Sequence, residues 1–125
     1  MIKVQVVHAI IKRDEKFLLG KRNVSKKNAA GFWATVGGRV EDGETLEDGL
    51  IRECFEEIGV KVKIGKKILD LFEPEADHFW FEVEIISGEP KVGNDEHSSI
   101  GWFLKTEIES LSPITEEDIK IIRLF

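Results

Sequence analysis

Three glutamates, Glu53, Glu56 and Glu57, fall in one short window directly after Arg52. Placed on a helix at about 100° per residue, they gather on one side, while Ile51, Cys54, Phe55 and Ile58 gather on the other. Like charges three and four positions apart destabilise a helix by roughly a few tenths of a kcal/mol per pair, so the cluster needs compensation. Arg52 supplies some of it. A hard cation such as Mg²⁺ supplies more, because it prefers oxygen ligands, takes one or two carboxylates and keeps its other positions for water and substrate phosphates. That arrangement suits phosphoryl chemistry. The plainer reading is a solvated charged face, which is what most Glu-rich helices are, and it would be enough to explain the Glu56-Glu57 pair alone.

The spacing around the helix separates these readings. Gly38 is followed after five residues by Glu44, and after seven more by Arg52-Glu53-Cys54-Phe55-Glu56-Glu57-Ile58-Gly59-Val60. So many polar and glycine positions at fixed offsets are hard to obtain by chance. From Gly38 to Val60 the chain resembles the signature of the Nudix hydrolases. The departure is Cys54, where that family has a larger aliphatic residue; cysteine packs as a small hydrophobe, so this reads as a packing variation.

The resemblance implies an α/β chain with the Nudix fold, a mixed β-sheet sandwiched between α-helices, formed by residues 1–125 as one domain. It implies divalent metal binding by Glu53, Glu56 and Glu57, with a backbone carbonyl of the Gly37-Gly38 pair, taken as that of Gly37, as a further ligand. Arg52 matches the box arginine that orients a glutamate, and Glu44 matches a supporting acid. The implied reaction is Mg²⁺-dependent hydrolysis of a nucleoside diphosphate linked to another group, with Mn²⁺ as an alternative cation. Many relatives are homodimers, which makes a homodimer the expected assembly.

A narrower likeness lies outside the box. Leu18-Leu19-Gly20-Lys21-Arg22-Asn23, Gly31-Phe32-Trp33 and Gly37-Gly38-Arg39-Val40 are similar to the subgroup acting on GDP-mannose and related nucleotide sugars. Asp95-Glu96-His97 with Trp102 looks like that subgroup's late metal-ligand and base segment, which adds Glu96 to the metal set. The subgroup's box is degenerate, however, and the full box here favours attack by water at phosphorus. The alternatives are a GDP-sugar hydrolase attacking at the sugar carbon with His97 as base, a sanitising enzyme for oxidised nucleoside triphosphates, and a non-catalytic nucleotide-binding module. Glu53, Glu57 and Glu96 all remain open as the general base. Arg22 and Arg39 are candidates to clamp phosphate oxygens by charge-assisted hydrogen bonds, and Phe32, Trp33 and Trp80 to stack on a base. For each arginine the plainer alternative is a surface residue, and for each aromatic a core one. His8 and His78 read as ordinary strand residues.

These groups need a scaffold. Residues 2 to 11 alternate as a strand buried on both faces, Lys12 to Lys16 read as a turn, and Phe17-Leu18-Leu19 return as a second strand ending at Gly20-Lys21-Arg22. Asn23 to Asn28 read as a loop before Gly31 to Val36. Thr45 followed by Asp48 resembles a capping box for a helix from Leu46 to Ile58, which Gly59 can end. Val60 to Phe72, Phe79 to Ile86 and Ile100 to Leu104 read as strands, and Pro113 with Thr115 introduces a last helix running to Phe125.

Composition narrows the classes. With 42% hydrophobic and 34% charged residues the chain is typical of a globular protein, and its apolar runs are too short for a membrane span or a signal peptide. A cytoplasmic location is expected. The single cysteine excludes an intramolecular disulfide and a multi-cysteine zinc site. A net charge of −6 argues against a polymeric nucleic acid as partner, but not against a small anionic nucleotide brought in with a cation.

Overall fold

The computed structural model describes residues 3–26 and 29–125. Ile2 at the start of the first expected strand, and Lys27 and Asn28 at the end of the expected loop, lie outside the described residues.

The element order is β1 (Val4–Ile10), β2 (Lys12–Arg13), β3 (Lys16–Arg22), β4 (Trp33–Ala34), β5 (Val36–Arg39), α1 (Leu46–Ile58), β6 (Lys61–Phe72), β7 (Ala76–Ser87), β8 (His97–Leu104), α2 (Lys105–Ile108) and α3 (Glu116–Ile122). A mixed four-stranded sheet runs β5-β1-β7-β6, with β1 parallel to β7 and the other pairs antiparallel. Beside the expected mixed sheet stands a second, antiparallel one, in which β3 pairs with β2, β4 and β8. The expected turn at Lys12 to Lys16 is a tight hairpin. Asp14 and Glu15 both take positive φ, 51° and 65°, the combination that matches the twist of two flanking strands.

Strand alternation divides the core. Val7 and Ala9 of β1 and Phe79, Phe81 and Val83 of β7 face Leu50, Cys54 and Ile58 of α1. Ile10 and Trp80, on the opposite face of the same strands, pack with Ile108 of α2 and Ile121 and Ile122 of α3. Helices therefore flank the mixed sheet on both sides, and a residue's parity along β1 decides which helix it meets.

Helix α1 begins and ends where its caps dictate. The Thr45 hydroxyl accepts a hydrogen bond from the Asp48 N–H at 3.0 Å, and Gly59 closes the helix at φ 69° with its N–H on the Phe55 carbonyl. Its buried side is the expected one only in part, with Cys54 and Ile58 fully buried. Ile51 and Phe55 are exposed at 38% and 59%, whereas Glu57 is 1% exposed. The packed stripe is Leu46, Leu50, Cys54, Glu57 and Ile58, spaced by three and four residues, and Ile51 and Phe55 fall outside it.

Several further boundaries differ from expectation, among them the start of β7 at Ala76 instead of Phe79. Strand β8 begins at His97, three residues before Ile100, because residues 97–99 pair with Lys21 and Arg22 of β3 despite their polar character. The short α2 was not expected, and the last helix is shorter at both ends than the stretch from Pro113 to Phe125. No helix among the described residues is long and apolar enough to cross a membrane.

Candidate active site

Strand β5 and helix α1 meet at Gly38. A Cβ at this position would stand 2.6 Å from the Glu53 Oε2, so only glycine lets the Glu53 carboxylate lie against the strand. One turn further along, Glu57 is buried beneath it, and its Oε1 lies 2.7 Å from the Nε2 of His97, itself 5% exposed. Glu57 Oε2 has no hydrogen-bond partner among the described residues. Burial, and then the Glu53 and Glu96 carboxylates nearby, push the Glu57 carboxyl far above the usual carboxylate range. Burial likewise pushes the His97 imidazole down.

Glu96 arrives from the segment before β8, where it pairs with the Arg22 guanidinium of β3 and its carbonyl accepts from the Asn23 N–H at 2.9 Å. The same segment is tied to the end of α1. The Lys91 N–H donates to the Ile58 carbonyl at 3.0 Å and the Gly93 N–H to the Glu57 carbonyl at 2.8 Å.

Arg52 fixes the outer side of the helix. Its Nε and Nη2 donate to the two Glu44 oxygens at 2.8 and 3.1 Å, its Nη1 to Glu53 at 2.9 Å and Glu56 at 3.0 Å, and its Nη2 also to the Arg39 carbonyl at 3.0 Å. The planar guanidinium thus joins the loop, the strand and two acids, which a lysine could not do. The hydrogen bond from Arg52 holds the Glu44 carboxyl below its ordinary range.

A cavity of about 630 Å³ opens beside these groups. Its lining includes Arg22, Gly37, Gly38, Arg39, Glu53, Glu96 and His97 together with His8, Leu71, His78, Trp80 and, on the α3 side, Thr115, Glu117 and Asp118. Of the residues expected at a site, the cavity therefore gathers Arg22, Gly37, Arg39, Glu53 and Glu96, with Glu57 immediately behind. Glu56 lies on the exposed side of the helix against Arg52. Phe32 and Trp33 are not on the cavity wall. The Trp33 ring meets Phe103 edge-on at 5.0 Å and packs with the apolar cluster under α2 and α3, which is the core alternative weighed above.

The cavity also holds Trp80, one of the residues expected to stack on a base, with three residues assigned no role from sequence, His8, His78 and Asp118. His8 stacks on Trp80 at 4.3 Å with 14° between planes, and His78 lies 5.2 Å from His8 and 5.8 Å from Trp80, so the three rings cluster together. His8 Nε2 and His78 Nδ1 share a hydrogen bond of 2.9 Å. Asp118, 3% exposed, sets the tryptophan by accepting from its Nε1–H at 3.0 Å. It also accepts from the Thr35 N–H at 3.0 Å, the Thr35 hydroxyl at 2.9 Å and the Thr115 hydroxyl. The one available signal was a histidine in an otherwise apolar stretch of β1.

Burial, assisted by His78, pushes the His8 imidazole down to about 4 from 6.5, against the pull of Asp118. The unfolded chain takes up this proton near 6.5 and the folded chain only near 4, so His8 disfavours folding progressively as pH falls through that interval. An NMR titration resolved by histidine is expected to find His8 still neutral at about pH 5; a ring already charged there would contradict the burial described.

Among the described residues, no three His, Cys, Asp or Glu side chains stand as a ready-made metal cage. The donor set nonetheless fits a hard cation. The carboxylates of Glu53, Glu57 and Glu96 repel one another, and Glu57 leaves a buried oxygen without a partner. A cation that prefers oxygen would relieve both.

A NUDIX domain family model matches residues 1–125, and the chain belongs to the Nudix family. It is 40% identical to the CTP pyrophosphohydrolase of Escherichia coli (strain K12) over 68 residues, which cover 54% of this chain and 50% of that protein. It is 39% identical to the ADP-ribose pyrophosphatase of Methanocaldococcus jannaschii over 97 residues, 71% of this chain and 55% of that protein. The chain thus spans about half the length of these curated relatives. The crystal structure of a MutT NUDIX hydrolase from Burkholderia pseudomallei matches with a TM-score of 0.83 at 27% identity, covering 98% of both chains.

Proposed function

We propose that this chain hydrolyses a nucleoside diphosphate linked to another group, using Mg²⁺ and attack by water at phosphorus. The observation that carries the reading is one cavity lined both by carboxylates and arginines and by a stacked aromatic cluster. A nucleotide presents the same two chemistries, a charged diphosphate and a flat base. The names of the related pyrophosphohydrolase and pyrophosphatase support the same class.

Glu53, Glu57 and Glu96 would hold the cation, with the Gly37 carbonyl as a further oxygen. When bound, the cation supplies the charge neutralisation that admits a polyanion to an acidic site and lowers the barrier to attack at phosphorus. Arg22 and Arg39 line the cavity where phosphate oxygens would lie, and their guanidinium donors orient the diphosphate. Glu53, on the cavity wall itself, is the carboxylate proposed to take the proton of the attacking water. Trp80 is itself 2% exposed, so the base would lie against the His8 and His78 rings that cluster on it, with Trp80 held beneath them by Asp118. His97 is a poor candidate for the base of a carbon-attack reaction, because its ring is buried and its Nε2 is engaged with Glu57.

The test is a panel containing CTP, dNTPs, 8-oxo-dGTP, ADP-ribose, dinucleoside polyphosphates and GDP-sugars, run with Mg²⁺ in ¹⁸O-water with the products resolved by chromatography. Cleavage is expected with the label in a phosphate product, to be abolished by chelation and restored by Mg²⁺. Label in a freed sugar would replace phosphorus attack by carbon attack. A ligand that binds with Mg²⁺ but survives intact would make the chain a binding module.

A further inference from the structure

We infer that His97 is a positioning residue that holds the Glu57 carboxylate by one oxygen and so leaves the other free for the cation. The inference rests on the cation-binding reading above and concerns a residue that lies outside the Gly38–Val60 signature.

The ring is placed with little freedom. It lies flat over Gly20 of β3, where a Cβ would come within 2.5 Å of Nδ1 and 2.8 Å of Cγ. On its other side, Nε2 meets Glu57 Oε1 at 2.7 Å. Glycine at position 20 therefore makes the slot, and β8 pairing with β3 carries His97 into it.

The two ring nitrogens stand in different surroundings. Nδ1 is buried with no hydrogen-bond partner among the described residues, while Nε2 faces a carboxyl oxygen. A buried donor without an acceptor costs about 1–3 kcal/mol, so the neutral ring carries its hydrogen on Nε2 and donates it to Glu57. A bare Nδ1 lone pair beside Gly20 is the lesser loss. Glu57 is then asymmetric, with Oε1 fixed by the imidazole and Oε2 unpartnered. A carboxylate held in this way presents one lone-pair direction to a cation instead of rotating between neighbours.

Two measurements test this. In the metal-free wild-type protein, ¹⁵N NMR is expected to show His97 protonated on Nε2 and bare on Nδ1; the opposite tautomer would overturn the inference without reference to any metal. Mn²⁺ affinity, read by electron paramagnetic resonance, is then compared across variants. His97→Leu fills the slot without a donor and is expected to weaken Mn²⁺ binding by about 10- to 100-fold. His97→Gln restores a donor near the Nε2 position and is expected to recover most of that loss, which a purely packing role would not produce. Gly20→Ala, which pushes the ring from its slot, is expected to weaken binding as His97→Leu does. A folded His97→Leu that binds Mn²⁺ as tightly as wild type would overturn the role of His97 alone. A wild-type protein that binds no Mn²⁺ would overturn the cation-binding reading and this inference together.

Discussion

Glu57→Gln is expected to lower kcat by at least about 100-fold, the lower range for removing a group that acts on a proton or a cation in a hydrolytic site, with the melting temperature unchanged or raised. The two effects separate because the amide keeps the shape of the side chain and an oxygen to accept from His97, while it loses the charge a cation needs. Burying that charge against Glu53 and Glu96 opposes folding of the metal-free chain, so a neutral replacement costs the fold nothing on this account. Turnover at saturating Mg²⁺, measured beside a thermal melt, checks both. Unchanged turnover would contradict the role assigned to the whole helix.

The largest effect on stability is expected at Asp118, which holds the aromatic cluster of the same cavity. Asp118→Leu leaves the Thr35 N–H and the Trp80 Nε1–H buried without acceptors, since their bonds of 3.0 Å both end on this carboxylate. At about 1–3 kcal/mol for each orphaned donor, the loss should be about 2–6 kcal/mol; the two hydroxyls can rotate to other partners and add less. Urea unfolding followed by tryptophan fluorescence measures it. Loosening of the indole should also raise KM more than it lowers kcat, because the His8 and His78 rings that rest on Trp80 are assigned to the base and not to phosphorus. A stable variant with wild-type KM would remove Asp118 from this role.

Helix α1 was legible because its signals are local. Thr45 and Gly59 bracket it chemically, and the acids repeat at helical spacing. The same residues misled about its faces. Ile51 and Phe55 look like packing residues by hydrophobicity, yet the stripe that meets β1 and β5 must also carry Glu57 inward to His97, and a buried carboxylate cannot be read from a hydrophobic pattern. The aromatic cluster was legible only in Trp80, for a different reason. His8 and Trp80 are 72 positions apart and become partners only through the parallel register of β1 and β7, which nothing in either strand announces. Asp118 reads in sequence as an ordinary acid of a helix's first turn; only the packing of α3 against Thr35 and Trp80 gives it four donors. Helix α2 is a single turn and too short to carry a period.

The backbone bonds from Lys91 and Gly93 to the end of α1 divide the segment after β7 into parts with different tolerance for change. Residues between Gly93 and His97 form a short tether with both ends anchored on Glu57, one through its carbonyl and one through its carboxylate. An insertion there would move Glu96 away from the helix acids. Residues 88–90 lie before the first anchor, so added length there can bulge outward without disturbing the tether. Lineages or protein engineers reshaping this rim for a different substrate should therefore find their freedom on the β7 side of Lys91, with the spacing from Gly93 to His97 kept fixed.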